Sequence, residues 1–155
     1  MANEFYTFGG YLKKDESPLT AAMEDYIEMI YRLCAGNGFT RVNELAQSLN
    51  VQPSSATKMA QRLAETGYVK YEKYGFLMLS EKGRQAGEHL LHRHTVIEGF
   101  LRAMGVNEAA VLEETEKIEH MLDIDTARCF ERFLAFWKSD PELAARFAAY
   151  RAGRK

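Results

Sequence analysis

Between Val42 and Leu79 the hydrophobic period of the chain changes once, and that change restricts the fold more than any other feature. Leu45, Ala46 and Leu49 recur at helical spacing until Asn50-Val51-Gln52 interrupts them. Pro53 can open the next helix, because its ring fixes φ and its missing N–H is not needed in a first turn. Ala56, Met59, Ala60 and Leu63 then face inward at helical offsets as far as Gly67. Beyond it, Tyr68 to Glu72 and Phe76 to Leu79 read as strands joined at Lys73-Tyr74-Gly75, a turn containing glycine.

A helix from about Thr20 to Cys34, ended by Gly36-Asn37-Gly38, precedes this block. Three more helices are expected after it. One is capped by Ser80 and runs past His94 to about Met104, one covers roughly Glu108 to Leu122, and the last covers Thr126 to Lys138 before Pro141. The fold class is mainly α with a small β-hairpin. Residues 1–18 form an N-terminal arm, 19–79 a winged helix-turn-helix, and 80–155 an α-helical domain. The aromatics Phe5, Tyr6, Phe8 and Tyr11 suggest that the arm docks, whereas Arg146, Arg151, Arg154 and Lys155 read as a basic, frayed end.

In a winged helix-turn-helix the third helix enters the major groove and the hairpin touches the backbone or the minor groove. The third helix here suits that task. Gln52, Pro53, Ser54, Ser55, Thr57, Lys58 and Arg62 lie at its start and outer face, and Lys73 follows in the hairpin. Short hydroxyls and amides fit base edges, and cations fit phosphates. A capped helix with an ordinary polar face would look similar, so the hairpin carries the argument. Charge agrees, since residues 39–93 hold eight Lys or Arg against five Asp or Glu. Residues 94–143 hold five against eleven, an acidic stretch that favours cations.

Within that acidic stretch, Glu116, Glu119 and His120 fall on one side of two helical turns. Asp25 and Glu28 repeat the three-residue offset upstream. His94 sits on a stripe with Gly87, Leu90, Ile97 and Leu101. Six hard or borderline donors suffice for two divalent ions. Each also has a plainer reading: Asp25 and Glu28 as a solvated face, the acidic trio as ordinary helix surface, and His94 as a hydrogen-bonded core imidazole.

The segments Met23 to Tyr31, Pro53 to Met59, Tyr71 to Tyr74 and Ile118 to His120 resemble the diphtheria toxin repressor family, and within it the manganese transport regulator branch. The resemblance covers about Leu19 to Lys138. It implies that residues 80–155 bind metal and dimerise, with ligands at Asp25, Glu28, His94, Glu116, Glu119 and His120 holding two Mn²⁺ per subunit. It further implies a homodimer that binds palindromic double-stranded operator DNA and represses manganese uptake genes when metal is present. The iron-responsive branch carries methionine at the position of Asp25 and cysteine at that of Glu116. Carboxylates there shift preference toward Mn²⁺, while Fe²⁺, Co²⁺, Cd²⁺ or Zn²⁺ can occupy such a site in vitro. The arm is longer than the branch predicts.

An iron-responsive regulator of the same family is the nearest alternative. A binuclear metallohydrolase is an alternative of another class, but no nucleophile or base stands out beyond the ligands, and an enzyme is not expected. A winged-helix regulator sensing an organic ligand is a third, although the metal reading requires none. The dimer is expected to use apolar surface near Ile97, Leu101, Val111 and Ile118. No run approaches ~20 apolar residues, and the start lacks the features of a signal peptide, so a cytoplasmic protein without membrane contact is expected. Cys34 and Cys129 are isolated and predict no disulfide.

Overall fold

The computed structural model describes residues 5–7, 10, 11 and 17–153. It divides into two compact units, residues 1–89 and 90–155, whereas the sequence pattern puts a boundary between residues 79 and 80. The difference arises because one long helix begins in the first unit and ends in the second.

In the first unit, α1 (Ala21–Cys34) is capped by Thr20, whose hydroxyl accepts from the Met23 amide at 3.3 Å. Its apolar positions Met23, Tyr26, Ile27 and Ile30 are buried. A two-residue strand, β1 (Thr40–Arg41), leads directly into α2 (Val42–Ser48). The turn that follows places Asn50 at φ 53°, a left-handed conformation that asparagine tolerates. Next comes α3 (Pro53–Glu65), with proline in its first turn as expected. Ala56, Ala60 and Leu63 are buried and Met59 is half-buried, so small side chains form much of the inner face.

The strands β2 (Val69–Tyr71) and β3 (Phe76–Leu79) flank a short 3₁₀ turn at Lys73–Gly75. The sequence pattern predicts these two strands alone, but the sheet has three in the order β1-β3-β2. Both pairings are antiparallel, with Thr40 opposite Leu77 and Val69 opposite Leu79. Two residues are too few to display a period, which is why β1 leaves no trace in the hydrophobic pattern.

Ser80 caps α4 (Glu81–Met104): its hydroxyl donates to the Gly67 carbonyl at 2.6 Å and accepts from the Gly83 amide at 3.0 Å. The helix starts so close to β2 that a Cβ on Gly83 would lie 1.9 Å from the Tyr68 carbonyl oxygen. One turn later, a Cβ on Gly87 would lie 2.6 Å from Cβ of Tyr31. Glycine at both positions is therefore a packing requirement of the first unit.

The second unit contains the end of α4, α5 (Glu108–Glu119), α6 (Ile124–Ser139) and α7 (Pro141–Ala152). Phe100 stacks on Phe130 at 4.2 Å, and edge or tilted contacts continue through Phe133 and Trp137 to Phe147. This aromatic chain links α4, α6 and α7. Two expectations need correction. α5 ends at Glu119 rather than Leu122, because His120 is its C-cap and Asp123 already caps α6. α6 does end before Pro141, at Ser139, but a helix that the pattern does not predict follows: Pro141 sits in the first turn of α7, where Asp140 accepts from the Leu143 amide at 2.9 Å. The frayed basic end is thus mostly helical, with Arg151 donating to the Gly105 carbonyl at 2.5 Å. Arg154 and Lys155 lie outside the described residues.

Ile97 and Val111 are fully buried within the single chain, so they supply no surface to a second copy. In the arm, the rings of Phe5 and Tyr6 pack edge-on against Tyr11, and Phe5 remains 92% exposed. Phe8 and most of the remaining arm lie outside the described residues. Among the described residues no helix is long and apolar enough to cross a membrane.

Candidate metal centre

The second unit brings together four of the six side chains selected from the sequence. His94 is buried on α4, Glu119 ends α5, and His120 follows as its cap. Nδ1 of His94 lies 3.4 Å from Oε1 of Glu119 and 3.6 Å from Oε1 of Glu116. Nε2 of His120 lies 3.8 Å from that same Glu119 oxygen. The three-residue and four-residue offsets of α5 therefore do converge, even though His120 is no longer helix interior.

Glu119 is the most telling member. It is 1% exposed, and its second oxygen, Oε2, is buried without a hydrogen-bond partner among the described residues. Burying a carboxylate oxygen without a donor is costly, by more than the ~1–3 kcal/mol of a neutral unsatisfied group. Two imidazoles and two carboxylates form a donor set that suits Mn²⁺ or Fe²⁺, and the orphaned oxygen supplies a lone pair for such an ion. The residues therefore fit a divalent cation. Glu116 differs in that half of its side chain is exposed.

Arg93, which the sequence pattern does not single out, reaches this cluster. One of its Nη atoms lies 3.4 Å from Nδ1 of His120. Guanidinium only donates, so in this contact Nδ1 of His120 serves as the acceptor. The only sequence signal for Arg93 is its place beside His94.

In the first unit, Asp25 and Glu28 lie three residues apart on α1, as their spacing requires. Glu28 Oε1 accepts from Arg32 Nη2 at 2.6 Å and from Nε at 3.0 Å. Burial, helped by the Asp25 carboxylate, pushes the Tyr26 phenol above its usual range and keeps it neutral.

The surface assigned to DNA is equally explicit. Gln52, Pro53, Ser54, Ser55, Lys58, Arg62 and Lys73 are exposed. Among the described residues, neither Lys58 nor Arg62 forms an ion pair, and the first turn of α3 carries no acidic side chain. Their charge is therefore available to phosphate. Thr57 departs from the expectation, being half-buried with its hydroxyl donating to the Pro53 carbonyl at 2.9 Å. Its oxygen can still accept, but the proton is committed inside the helix.

Two family models match the chain in succession. The iron dependent repressor N-terminal DNA binding domain covers residues 18–77, and the iron dependent repressor metal binding and dimerisation domain covers residues 80–147. The chain is 40% identical over 130 residues to the HTH-type transcriptional regulator MntR of Lysinibacillus sphaericus (strain C3-41), spanning 84% of this chain and 94% of that protein. It is 48% identical over 103 residues to the MntR of Geobacillus thermodenitrificans (strain NG80-2), spanning 66% and 73%. Among solved structures it is similar to T. acidophilum IdeR, with a TM-score of 0.62, 27% identity and 71% of this chain covered. It is also similar to a manganese-dependent transcriptional repressor in complex with manganese, with a TM-score of 0.66, 27% identity and 74% covered. The chain spans 53% of the length of each of these two solved chains.

Proposed function

The chain belongs to the diphtheria toxin repressor family of iron-dependent repressors, in its manganese-regulator branch, and from that premise we propose that it is a Mn²⁺-responsive transcriptional repressor. The observation that carries this reading is the convergence of His94, Glu116, Glu119 and His120, together with a second, buried oxygen of Glu119 that has no hydrogen-bond partner among the described residues. These groups belong to the second unit and α3 to the first, so they would influence DNA through ligation.

We assign Asp25, Glu28, His94, Glu116, Glu119 and His120 as ligands of two Mn²⁺ ions per subunit. A bound cation supplies positive charge that offsets the mutual repulsion of four carboxylates. The chain's own residues do the rest. With both ions bound, Asp25 and Glu28 would tie α1 of the DNA-binding unit to ligands carried by α4 and α5, and this would limit the orientations available to α3. In a homodimer, two α3 helices held at fixed spacing match a palindromic operator. Exposed Leu112, Met121, Ile124 and Phe136 of the second unit provide apolar surface for the second copy. The regulated genes would include those for manganese uptake. Mn²⁺ is preferred to Fe²⁺ because the donors are carboxylate and imidazole without sulfur. A metal that favours the DNA-binding state must also bind more tightly when DNA is present.

The direct test titrates Mn²⁺ against binding of a duplex that the protein selects from a random-sequence pool, read by fluorescence anisotropy. Micromolar Mn²⁺ should convert weak binding into specific binding. Equal affinity with Mn²⁺ and with chelator would refute the reading.

A further inference from the structure

The sheet of the first unit places two groups beside Lys73 that neither the helical pattern nor the turn signal selects. Arg41, in β1, pairs with Phe76, the first residue after the hairpin turn. Its guanidinium lies over the Phe76 ring, 4.5 Å from the centroid, and the Phe39 ring lies against Phe76 at 5.3 Å. Among the described residues no carboxylate pairs with Arg41. The cation is thus oriented by an aromatic face and left unneutralised.

Tyr74, at the tip of the turn, has φ 64° and ψ 22° and is 91% exposed. A left-handed backbone is costly for a bulky residue, and glycine or asparagine is the usual occupant. Among the described residues no ring contact or side-chain hydrogen bond holds the exposed Tyr74 there. An aromatic ring that is both strained and exposed has its use outside the chain. The surrounding charge indicates what it meets: across β1 and residues 69–75, Arg41, Lys70 and Lys73 stand against Glu72 alone.

We propose that Arg41 and Tyr74 form, with Lys73, a second DNA contact that grips the sugar-phosphate backbone beside the groove occupied by α3. The contact rests on the DNA-binding reading above and adds residues to it. The stacked guanidinium presents N–H groups to a phosphate, and the Tyr74 hydroxyl donates to a phosphate oxygen while its ring lies against sugar. Backbone contacts position a protein without reading sequence, so this one strengthens binding to any duplex.

The test uses the full chain at saturating Mn²⁺, with two duplexes of equal length: one selected by the parent protein from a random pool and a scrambled version of it. Arg41→Gln should lower the slope of log affinity against log salt by about 0.9, the value of one released phosphate contact. Arg41→Lys should keep the slope and lose part of the affinity, because an ammonium keeps the charge without the planar fork. Tyr74→Asn should weaken binding to both duplexes about three- to tenfold. Its melting temperature should stay level or rise, since asparagine tolerates the backbone that strains tyrosine. An unchanged slope in Arg41→Gln, or a Tyr74→Asn affinity within twofold of the parent, overturns the assignment. So does a loss confined to the selected duplex, or a loss accompanied by a lower melting temperature. A parent chain that binds no duplex at any Mn²⁺ concentration refutes the repressor reading itself, whereas a binding parent with unaffected variants refutes this contact alone.

Discussion

Replacing Glu119 by Gln should separate the stability of the second unit from its response to metal. The carboxylate is 1% exposed, Oε1 faces His94 at 3.4 Å, and Oε2 has no hydrogen-bond partner. An amide of the same size keeps an acceptor for His94 while removing a negative charge from a buried site. Relief of even a fraction of the cost of an unsatisfied buried charge amounts to about 1 kcal/mol. For a chain of this size each such unit moves the melting temperature by roughly 2–4 °C, so the metal-free variant should melt at or above the parent. Mn²⁺ acts in the opposite sense on the pair. At one hundred times its Kd, binding to the folded chain alone stabilises it by about 2.7 kcal/mol, or roughly 5–11 °C. The variant should lose most of that rise, because an amide is a weak, neutral ligand. Calorimetry of both proteins with chelator and with Mn²⁺ measures all four transitions. A metal-free variant that melts several degrees below the parent would show that Glu119 holds the fold, and a retained Mn²⁺ shift would remove it from the ligand set.

The remaining expectations are narrower. Gly83→Ala should destabilise the first unit by about 1–3 kcal/mol, because its Cβ would sit 1.9 Å from the Tyr68 carbonyl oxygen, and the gain of up to ~1 kcal/mol in helix propensity does not offset backbone displacement. A denaturation midpoint equal to the parent's contradicts that packing. Glu116→Cys should raise the Mn²⁺ concentration needed for half-maximal DNA binding while raising that for Fe²⁺ or Co²⁺ less, since thiolate is the softer donor. Anaerobic titration with each ion checks it, and an unchanged Mn²⁺ midpoint excludes Glu116 as a ligand.

The fold was legible wherever an element was long enough to show a period or carried its own punctuation. α1, α3 and α4 begin at Thr20, Pro53 and Ser80 in the sense that those residues require, and the hairpin turns at Lys73–Gly75. What failed were elements whose signals compete. Pro141 reads as a stop after α6 and can equally open a helix, and what marks the opening of α7 is the Leu143 amide donating to the Asp140 side chain. β1 has two residues and owes its existence to the neighbouring β3, an interaction at long range that no local window contains. Ile97 and Val111 looked available to a second copy because spacing identifies an apolar face without identifying what covers it.

The candidate ligands were legible for a different reason. Carboxylates and imidazoles at offsets of three and four on one helix must converge, so Glu116, Glu119 and His120 could be chosen without coordinates. His94 required an additional argument, since an imidazole on an apolar stripe has two meanings, and its 3.4 Å approach to a buried carboxylate supports both. The orphaned Oε2 of Glu119 is what favours the ligand over the core histidine. A structural histidine–carboxylate pair satisfies its own hydrogen bonds, whereas a pair suited to a cation keeps a carboxylate lone pair free of donors. Arg41 and Tyr74 illustrate the complementary case. Their chemistry depends on a stacked ring and a left-handed torsion, both produced by the sheet, and residue identity at those positions encodes neither.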